Sequence, residues 1–263
     1  MLLFGNEVNP MNDIVEDIQL IKKLGFDFVE ITIEDPYNLP EILDLRKREI
    51  KNVLKLFKYP PLAHFSWRID IGTTDNIVRR AWIEEVKKSL TTAKKFGCTK
   101  FTVHYTTRFN VEENQSFRKK ELDNYVLSMK ELMKFSKKIG IELMLENAAK
   151  EGKVHLKKFA YVADNVPDLK INLDISHAFM NGGMKTVEDF INYFGDRIVH
   201  FHFSDNNGQD DEHLAIGNGK INYEKIVDMI KEIDYNYTIT LEIFELPRNN
   251  AAKSMLKIKK LFA

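Results

Sequence analysis

One cysteine, Cys98, stands in a chain of 263 residues, so no disulfide can form within it. That scarcity points to reducing surroundings. No run of about 18 apolar residues occurs, which excludes a membrane-spanning helix. Neither sign of charge is in excess, since 39 basic residues face 39 acidic ones. The whole molecule therefore exerts no pull on nucleic acid or an anionic membrane, and only a local basic patch would. No low-complexity tract, Ser/Gly-rich linker or shift in composition divides residues 1–263, which read as one domain. Met1 to Pro10 lacks the basic-then-apolar layout of a secretory leader, and a cytoplasmic location is the expectation. Glutamine is scarce beside abundant Lys and Glu, a faint hint of a warm habitat.

What is present is ordinary for a globular protein with a sizeable core: 44% hydrophobic and 30% charged residues. Short β-branched or aromatic runs alternate with longer Lys/Glu-rich amphipathic stretches. The strand-like runs are Leu2–Val8, Phe28–Ile33, Pro61–Phe65, Lys100–His104, Ile141–Glu146, Lys170–Leu173, Ile198–Phe203 and Thr238–Ile243. Helix-like stretches cover Asp13–Leu24, Pro40–Phe57, Asp75–Phe96, Ser116–Ile139, Leu156–Asn165, Val187–Phe194, Tyr223–Ile233 and Asn250–Leu261. In the third of these, Ile77, Ala81, Val86, Leu90 and Ala93 recur at helical spacing among Glu84, Glu85, Lys87 and Lys88. Gly25, Gly97 and Gly140 each follow a helical run and precede a strand, where a left-handed cap is wanted. Strands alternating with helices imply parallel pairing, and eight such units predict a single (β/α)₈ barrel (a TIM barrel) of the α/β class, with a doubly wound sheet as the alternative.

Barrel chemistry sits at the C-terminal ends of the strands. Strands three and four end in Ala63-His64-Phe65 and Val103-His104-Tyr105. Strand five ends in Leu145-Glu146-Asn147, and strand six runs into Leu173-Asp174-Ile175-Ser176-His177. Strand seven carries His200 and His202 and leads to Asp205, Asp211, Glu212 and His213; strand eight ends at Glu242. Of seven histidines, all but His155 lie at or just after a strand end. Glu146 and Glu242 each close an apolar run, and an unpaired buried carboxylate costs several kcal/mol. With few basic residues nearby, a metal ion is the natural counterion. A mixed His/carboxylate set suits Zn²⁺ or Mn²⁺, and also Co²⁺ or Fe²⁺, better than Ca²⁺ or Mg²⁺.

Each residue alone has a plainer explanation. A strand-end histidine is commonly hydrogen-bonded in a core. Asp174 would cap the turn after its strand, and Asp211 with His213 would sit in a solvated loop beside Asp210 and Glu212. His200, one layer below His202 on the inward face, reads as packed or as a support for the ligands. Asn147 is expected to orient Glu146, and His155 to begin a surface helix. Convergence of nine donors from six strand ends on one mouth favours the metal reading.

The segment His202-Phe-Ser-Asp205-Asn206-Asn207-Gly208, then Asp211-Glu-His213-Leu-Ala-Ile-Gly217-Asn-Gly219-Lys-Ile221, resembles a motif of the xylose-isomerase-like superfamily of barrels. Leu145-Glu146-Asn147 and Leu173-Asp174-Ile-Ser-His177-Ala178-Phe179 match two more of its motifs. The likeness to its sugar and sugar-phosphate isomerase/epimerase branch implies a divalent metal held by Glu146, Asp174, His202 and Glu242. Glu146 and Glu242 would then exchange a proton next to a sugar carbonyl through an enediolate. His177 would bind a substrate hydroxyl or a second metal, while His64, Trp67, His104 and Arg108 shape the outer pocket. No Arg follows Asp205 closely, which departs from the tagatose-epimerase type. Endonuclease IV is similar too, and its three-zinc set maps onto His64, His104, Glu146, Asp174, His177, His202, Asp211, His213 and Glu242. The His-Pro-Gly expected there after strand four is His104-Tyr105-Thr106 here, and the DNA-inserting Tyr-Leu pair is Trp67-Arg68. The resemblance thus implies a metal-dependent isomerase or epimerase of a small sugar or sugar phosphate, with one to three ions bound. An abasic-site DNA phosphodiesterase is the first alternative and a non-catalytic metal-binding protein the second. A second copy packing on the outer helices is left open.

Overall fold

The computed structural model describes residues 1–106, 115–147 and 156–263. Eight strands form a closed parallel barrel in sequence order, sealed where β1 (Leu3–Glu7) pairs with β8 (Thr238–Leu241). Between them run β2 (Phe28–Ile33), β3 (Leu62–Phe65), β4 (Lys100–Tyr105), β5 (Glu142–Asn147), β6 (Lys170–Asp174) and β7 (Ile198–Phe203). The outer layer is α1 (Ile14–Lys23), α2 (Pro40–Leu45), α3 (Lys47–Leu54), α4 (Asn76–Phe96), α5 (Gln115–Ile139), α6 (Leu156–Asp164), α7 (Ile175–Met180), α8 (Gly183–Phe194), α9 (Tyr223–Glu232) and α10 (Asn249–Phe262). Among the described residues no helix is long and apolar enough to cross a membrane.

Two expectations about the helices need correction. The stretch from Pro40 is two helices meeting at Arg46 (φ −96°, ψ 9°), whose guanidinium pairs with Asp13 and Glu49. Leu43, Ile50, Val53 and Leu54 are buried on both sides of the break, so the apolar period runs through it unchanged. Helix α7 falls outside the helix-like stretches of the sequence. Its six residues follow β6 directly and start on the Asp174 carboxylate, which accepts the His177 N–H at 2.6 Å. Elsewhere the caps agree with the sequence: Asp13 and Asp75 cap α1 and α4 with their side chains. Gly97 ends α4 at φ 84°, and Gly25 and Gly140 repeat that left-handed turn.

The main apolar core lies between sheet and helices, where Phe159 packs edge-on against Tyr105 and Phe194. On β7, Phe201 and Phe203 face outward against Tyr235 and Tyr223, so the two-residue period turns His200 and His202 inward. The barrel interior holds many polar groups beside Phe28 and Met144. Asn6, Glu30, Thr102, Asn172, His200 and Thr240 are buried at 0–1% exposure. Register aligns them in rows: His104 lies beside Glu146 and Glu146 beside Asn172, while Asp174, His202 and Thr240 run side by side one row along.

The loop after β7 is held by one carboxylate. Buried Asp205 accepts the backbone N–H groups of Asn206 (2.9 Å), Gly217 (2.7 Å) and Ile221 (3.1 Å). Its own backbone exchanges both hydrogen bonds with Leu214 at 2.9 Å. A Cβ on Gly219 would strike the Asp205 carboxylate and the Asn206 backbone, which is why glycine stands there. Asp205→Ala should strand three donors and cost about 3–5 kcal/mol, lowering the melting temperature by roughly 6–20 °C. A melting curve within a degree of wild type would remove this carboxylate from the scaffold.

Candidate metal centre

All nine sequence-nominated donors meet at the C-terminal mouth of the barrel. Glu146, fully buried, sits at the middle. Its Oε2 lies 3.2 Å from His64 Nε2 and 3.6 Å from His202 Nδ1, and its Oε1 lies 3.5 Å from both His104 Nε2 and His177 Nδ1. Glu242 Oε1 lies 3.2 Å from His202 Nδ1. Asp211 bridges His177 Nε2 and His213 Nε2, each at 3.2 Å, so the loop turns both residues toward the site, with Asp211 still partly open to solvent. His213 donates through Nδ1 to the Glu242 carbonyl at 3.1 Å and adopts φ 46° to do so. Asp174 does two things: Oδ1 caps α7, while Oδ2 is buried without a hydrogen-bond partner.

Above the donors opens a cavity of about 430 Å³ lined by His64, His104, His177, His213, Trp67 and Phe244 among others. Trp67 stands at its rim, 39% exposed, with the Arg68 guanidinium over its ring. Among the described residues the lining includes four carboxylates, Glu7, Glu34, Asp211 and Glu242, and no Lys or Arg. Arg108 and His155 lie outside the described residues.

Two carboxylates were missed by the sequence reading. Glu7 closes β1, with Oε1 3.3 Å from His64 Nδ1 and 2.8 Å from Thr32 Oγ1, and it lies near enough to Glu242 for the two charges to act on each other. Glu30 lies deeper on β2, between His200 and His202. Glu30 interrupts the apolar run Phe28–Ile33, whereas Glu146 closes its own. The expected role of Asn147 is also corrected. Its amide holds Asp174, donating to the carbonyl at 2.8 Å and accepting the N–H at 2.9 Å, whereas Asn172 is the residue that donates to Glu146, at 2.8 Å. His200 is packed as expected, with Nδ1 against Thr238.

The charges interlock. Burial pushes Glu146 upward, but His202 and His104 outweigh it and hold the carboxyl well below its ordinary value. Glu242 is likewise held low against burial by His202. Asp174 is pushed up to about 7 by burial, with Glu242 and Glu146 adding to the rise against His177. Burial raises Glu7 too, helped by Glu242. For His202 and His177 burial works against the charged ring, yet the carboxylates around them lift both well above the ordinary histidine value.

The donor set fits a divalent cation. His64 with His202 and Glu242, His64 with His104 and Glu146, and Glu146 with Asp174 and His177 each gather ligand atoms within 4.8 Å of one another. Glu146 Oε1, Asp174 Oδ2, His202 Nδ1 and Glu242 Oε2 are buried with no hydrogen-bond partner, as expected of atoms meant for an ion. The mixture of imidazole and carboxylate suits Zn²⁺, Mn²⁺, Co²⁺ or Fe²⁺.

The chain belongs to the xylose isomerase-like TIM barrel family, whose profile covers residues 18–261. It is similar to two uncharacterized proteins of Methanocaldococcus jannaschii. MJ1614 is 34% identical over 124 residues, and that match spans 47% of this chain and only about half (48%) of the relative. MJ1311 is 27% identical over 263 residues, spanning 93% of this chain and 84% of the relative. Among solved structures, one described as a D-tagatose 3-epimerase-like protein superposes with TM-score 0.79 at 25% identity, covering 98% of this chain and 96% of its own. The IOLI protein with a binding zinc atom shares the fold at TM-score 0.78 and 19% identity, over 98% of this chain and 96% of its own.

His213 gives a pH test. Burial opposes its charge, but Asp211 and then Glu242 raise it to about 9 from an ordinary 6.5. A folded value above the unfolded one stabilises fully below pH 6.5, and that stabilisation disappears as pH rises through about 9. The metal-free protein should therefore lose melting temperature between these limits, and His213→Gln should flatten part of the loss. Parallel profiles for both proteins would contradict the ion pair.

Proposed function

We propose that the protein is a cytoplasmic, divalent-metal-dependent isomerase or epimerase acting on a small sugar. One observation carries the reading. Two buried carboxylates, Glu146 and Glu242, face a single imidazole nitrogen, His202 Nδ1, at 3.6 and 3.2 Å beneath an open cavity of about 430 Å³. That volume lies within the range of small-molecule sites, roughly 300–1,000 Å³. Support comes from the D-tagatose 3-epimerase-like neighbour and from a structure of D-psicose 3-epimerase with D-fructose, 18% identical with TM-score 0.75. The zinc of the IOLI structure supports a metal. The acidic lining suits a neutral polyol better than a sugar phosphate. The buried free Cys98 accords with a reducing compartment.

Glu146, Asp174, His202 and Glu242 would hold the ion, with His64 close enough to share it. When bound, a divalent ion acts as a Lewis acid on a carbonyl and its neighbouring hydroxyl. Glu146 and Glu242 lie on either side of His202; one acts as the carboxylate that takes the proton beside the carbonyl, while the other, first protonated from solvent, delivers its own proton to the enediolate, so the two end the turnover with their protonation exchanged. Return to the opposite face of the same carbon gives the epimer, and return to the neighbouring carbon gives the isomer. His177, kept protonated by Asp174 and Asp211, has Nδ1 on the Asn147 carbonyl, so its Nε2–H, now on Asp211 at 3.2 Å, is the group it would share with a substrate hydroxyl. Trp67 and Phe244 offer apolar faces to the C–H side of the sugar.

The convergence of all nine donors favours a second reading, a three-zinc phosphodiesterase acting at abasic sites in DNA. The acidic described lining weighs against a polyanion there. Manganese- or zinc-loaded protein incubated with D-tagatose, D-psicose and D-fructose in D₂O should introduce deuterium next to the carbonyl. EDTA should abolish exchange, and Glu146→Gln or Glu242→Gln should each reduce it about 10²–10⁴-fold. Incision of an abasic duplex that vanishes in Glu242→Gln, with no sugar turned over, would replace the first reading with the second. Metal binding with neither activity would leave a non-catalytic metal protein.

A further inference from the structure

Beneath the ligands lies a residue that touches neither cavity nor solvent. Glu30 is buried at 0% exposure on β2, and a single oxygen, Oε2, receives three groups. These are His202 Nε2 at 3.2 Å, His200 Nε2 at 3.0 Å and Thr240 Oγ1 at 2.5 Å. A carboxylate only accepts hydrogen bonds, so each imidazole must present N–H on its Nε2 side. For neutral His202 this leaves Nδ1 bare. That atom has no hydrogen-bond partner, yet it faces Glu242 Oε1 at 3.2 Å and Glu146 Oε2 at 3.6 Å. Three acceptor atoms converging in a buried space repel unless a positive charge, either a proton on Nδ1 or a metal ion in its place, lies among them.

The row beneath ties the carboxylate down. His200 Nδ1 meets Thr238 Oγ1 at 2.8 Å, and that hydroxyl accepts from Lys100 Nζ at 3.2 Å at the foot of the barrel. Lys100 also donates to the Val199 carbonyl at 2.6 Å. Thr240 adds a donor from β8, so strands β2, β4, β7 and β8 all contribute to one polar column. None of these groups reaches the substrate cavity, and none is needed to fill space that Leu or Val would fill equally well. Their common effect is on the ring of His202.

We propose that Glu30 is a positioning residue: it fixes His202 with Nε2 protonated, so that Nδ1 is the atom offered to the cation. The inference rests on the metal-site reading above and deepens it by naming the tautomer and the residue that sets it. A buried acceptor behind a ligating histidine sets ring orientation and basicity, and losing one commonly weakens metal binding 10–100-fold.

The test uses full-length protein with histidine labelled in ¹⁵N and loaded with zinc alone. Long-range ¹H–¹⁵N correlation should show His202 coordinating through Nδ1 while Nε2 keeps its proton. Zinc competition against a chelator should show 10–100-fold weaker binding in Glu30→Gln, and a smaller loss in Thr240→Val. Both variants should keep the wild-type circular dichroism spectrum. Coordination through Nε2, or unchanged zinc affinity in a folded Glu30→Gln, would overturn the role of Glu30 while the metal site stands. Wild-type protein that binds no zinc would instead defeat the underlying reading. Should Glu30→Gln fail to fold, the tautomer in the wild type decides.

Discussion

Burying Glu146 without one exposed atom obliges the upper barrel to answer its charge. Removing a carboxylate from water costs several kcal/mol unless opposite charge and hydrogen bonds surround it. Imidazoles from β3, β4 and β7 and from the start of α7 close around it, and the Asn172 amide supports it from beneath. Three of the four histidines have a carboxylate of their own behind them, Glu7 for His64, Asp211 for His177 and Glu30 for His202, while His104 Nδ1 is buried with no hydrogen-bond partner. The site is therefore a network in which every charge is conditional on its neighbours. Titrating any one member shifts the rest, and a divalent ion would relieve several of these dependencies together.

This network occupies space that a barrel built for stability would fill with branched aliphatic layers. Here the interior column is mostly Glu, His, Asn and Thr, and the apolar stabilisation comes mainly from the outer shell between strands and helices. The aromatic packing of Phe159, Tyr105, Phe190 and Phe194 belongs to that shell. Division of labour follows from strand periodicity: on β7, alternate residues serve the shell through Phe201 and Phe203 and the site through His200 and His202.

Much of this was legible in the sequence because period-two strands, helical repeats and post-helical glycines are local signals. Eight strands were read within one or two residues at most ends, and nine donors were nominated from strand ends alone. What escaped notice has physical causes. The break at Arg46 keeps the apolar repeat in phase, so periodicity carries no trace of it. Helix α7 is short and depends on Asp174 as its cap, a residue already assigned to metal. Glu7 follows Gly5 and Asn6 in a strand that is not continuously apolar, and Glu30 lies in the middle of β2, so neither meets the pattern of an apolar run closed by a carboxylate that marks Glu146 and Glu242. The role expected of Asn147 falls to Asn172 because sequence adjacency to Glu146 says less than adjacency across the sheet, where Asn172 is its register partner.

The clamp around Asp205 separates two kinds of change open to this chain. Its three amide contacts and the Leu214 bridge pin both ends of the β7–α9 loop, so insertions or substitutions between Asn207 and Asp210 can reshape the rim without dragging Asp211 or His213 off station. A lineage can thus redraw the mouth by loop drift while the donor cluster below stays in place.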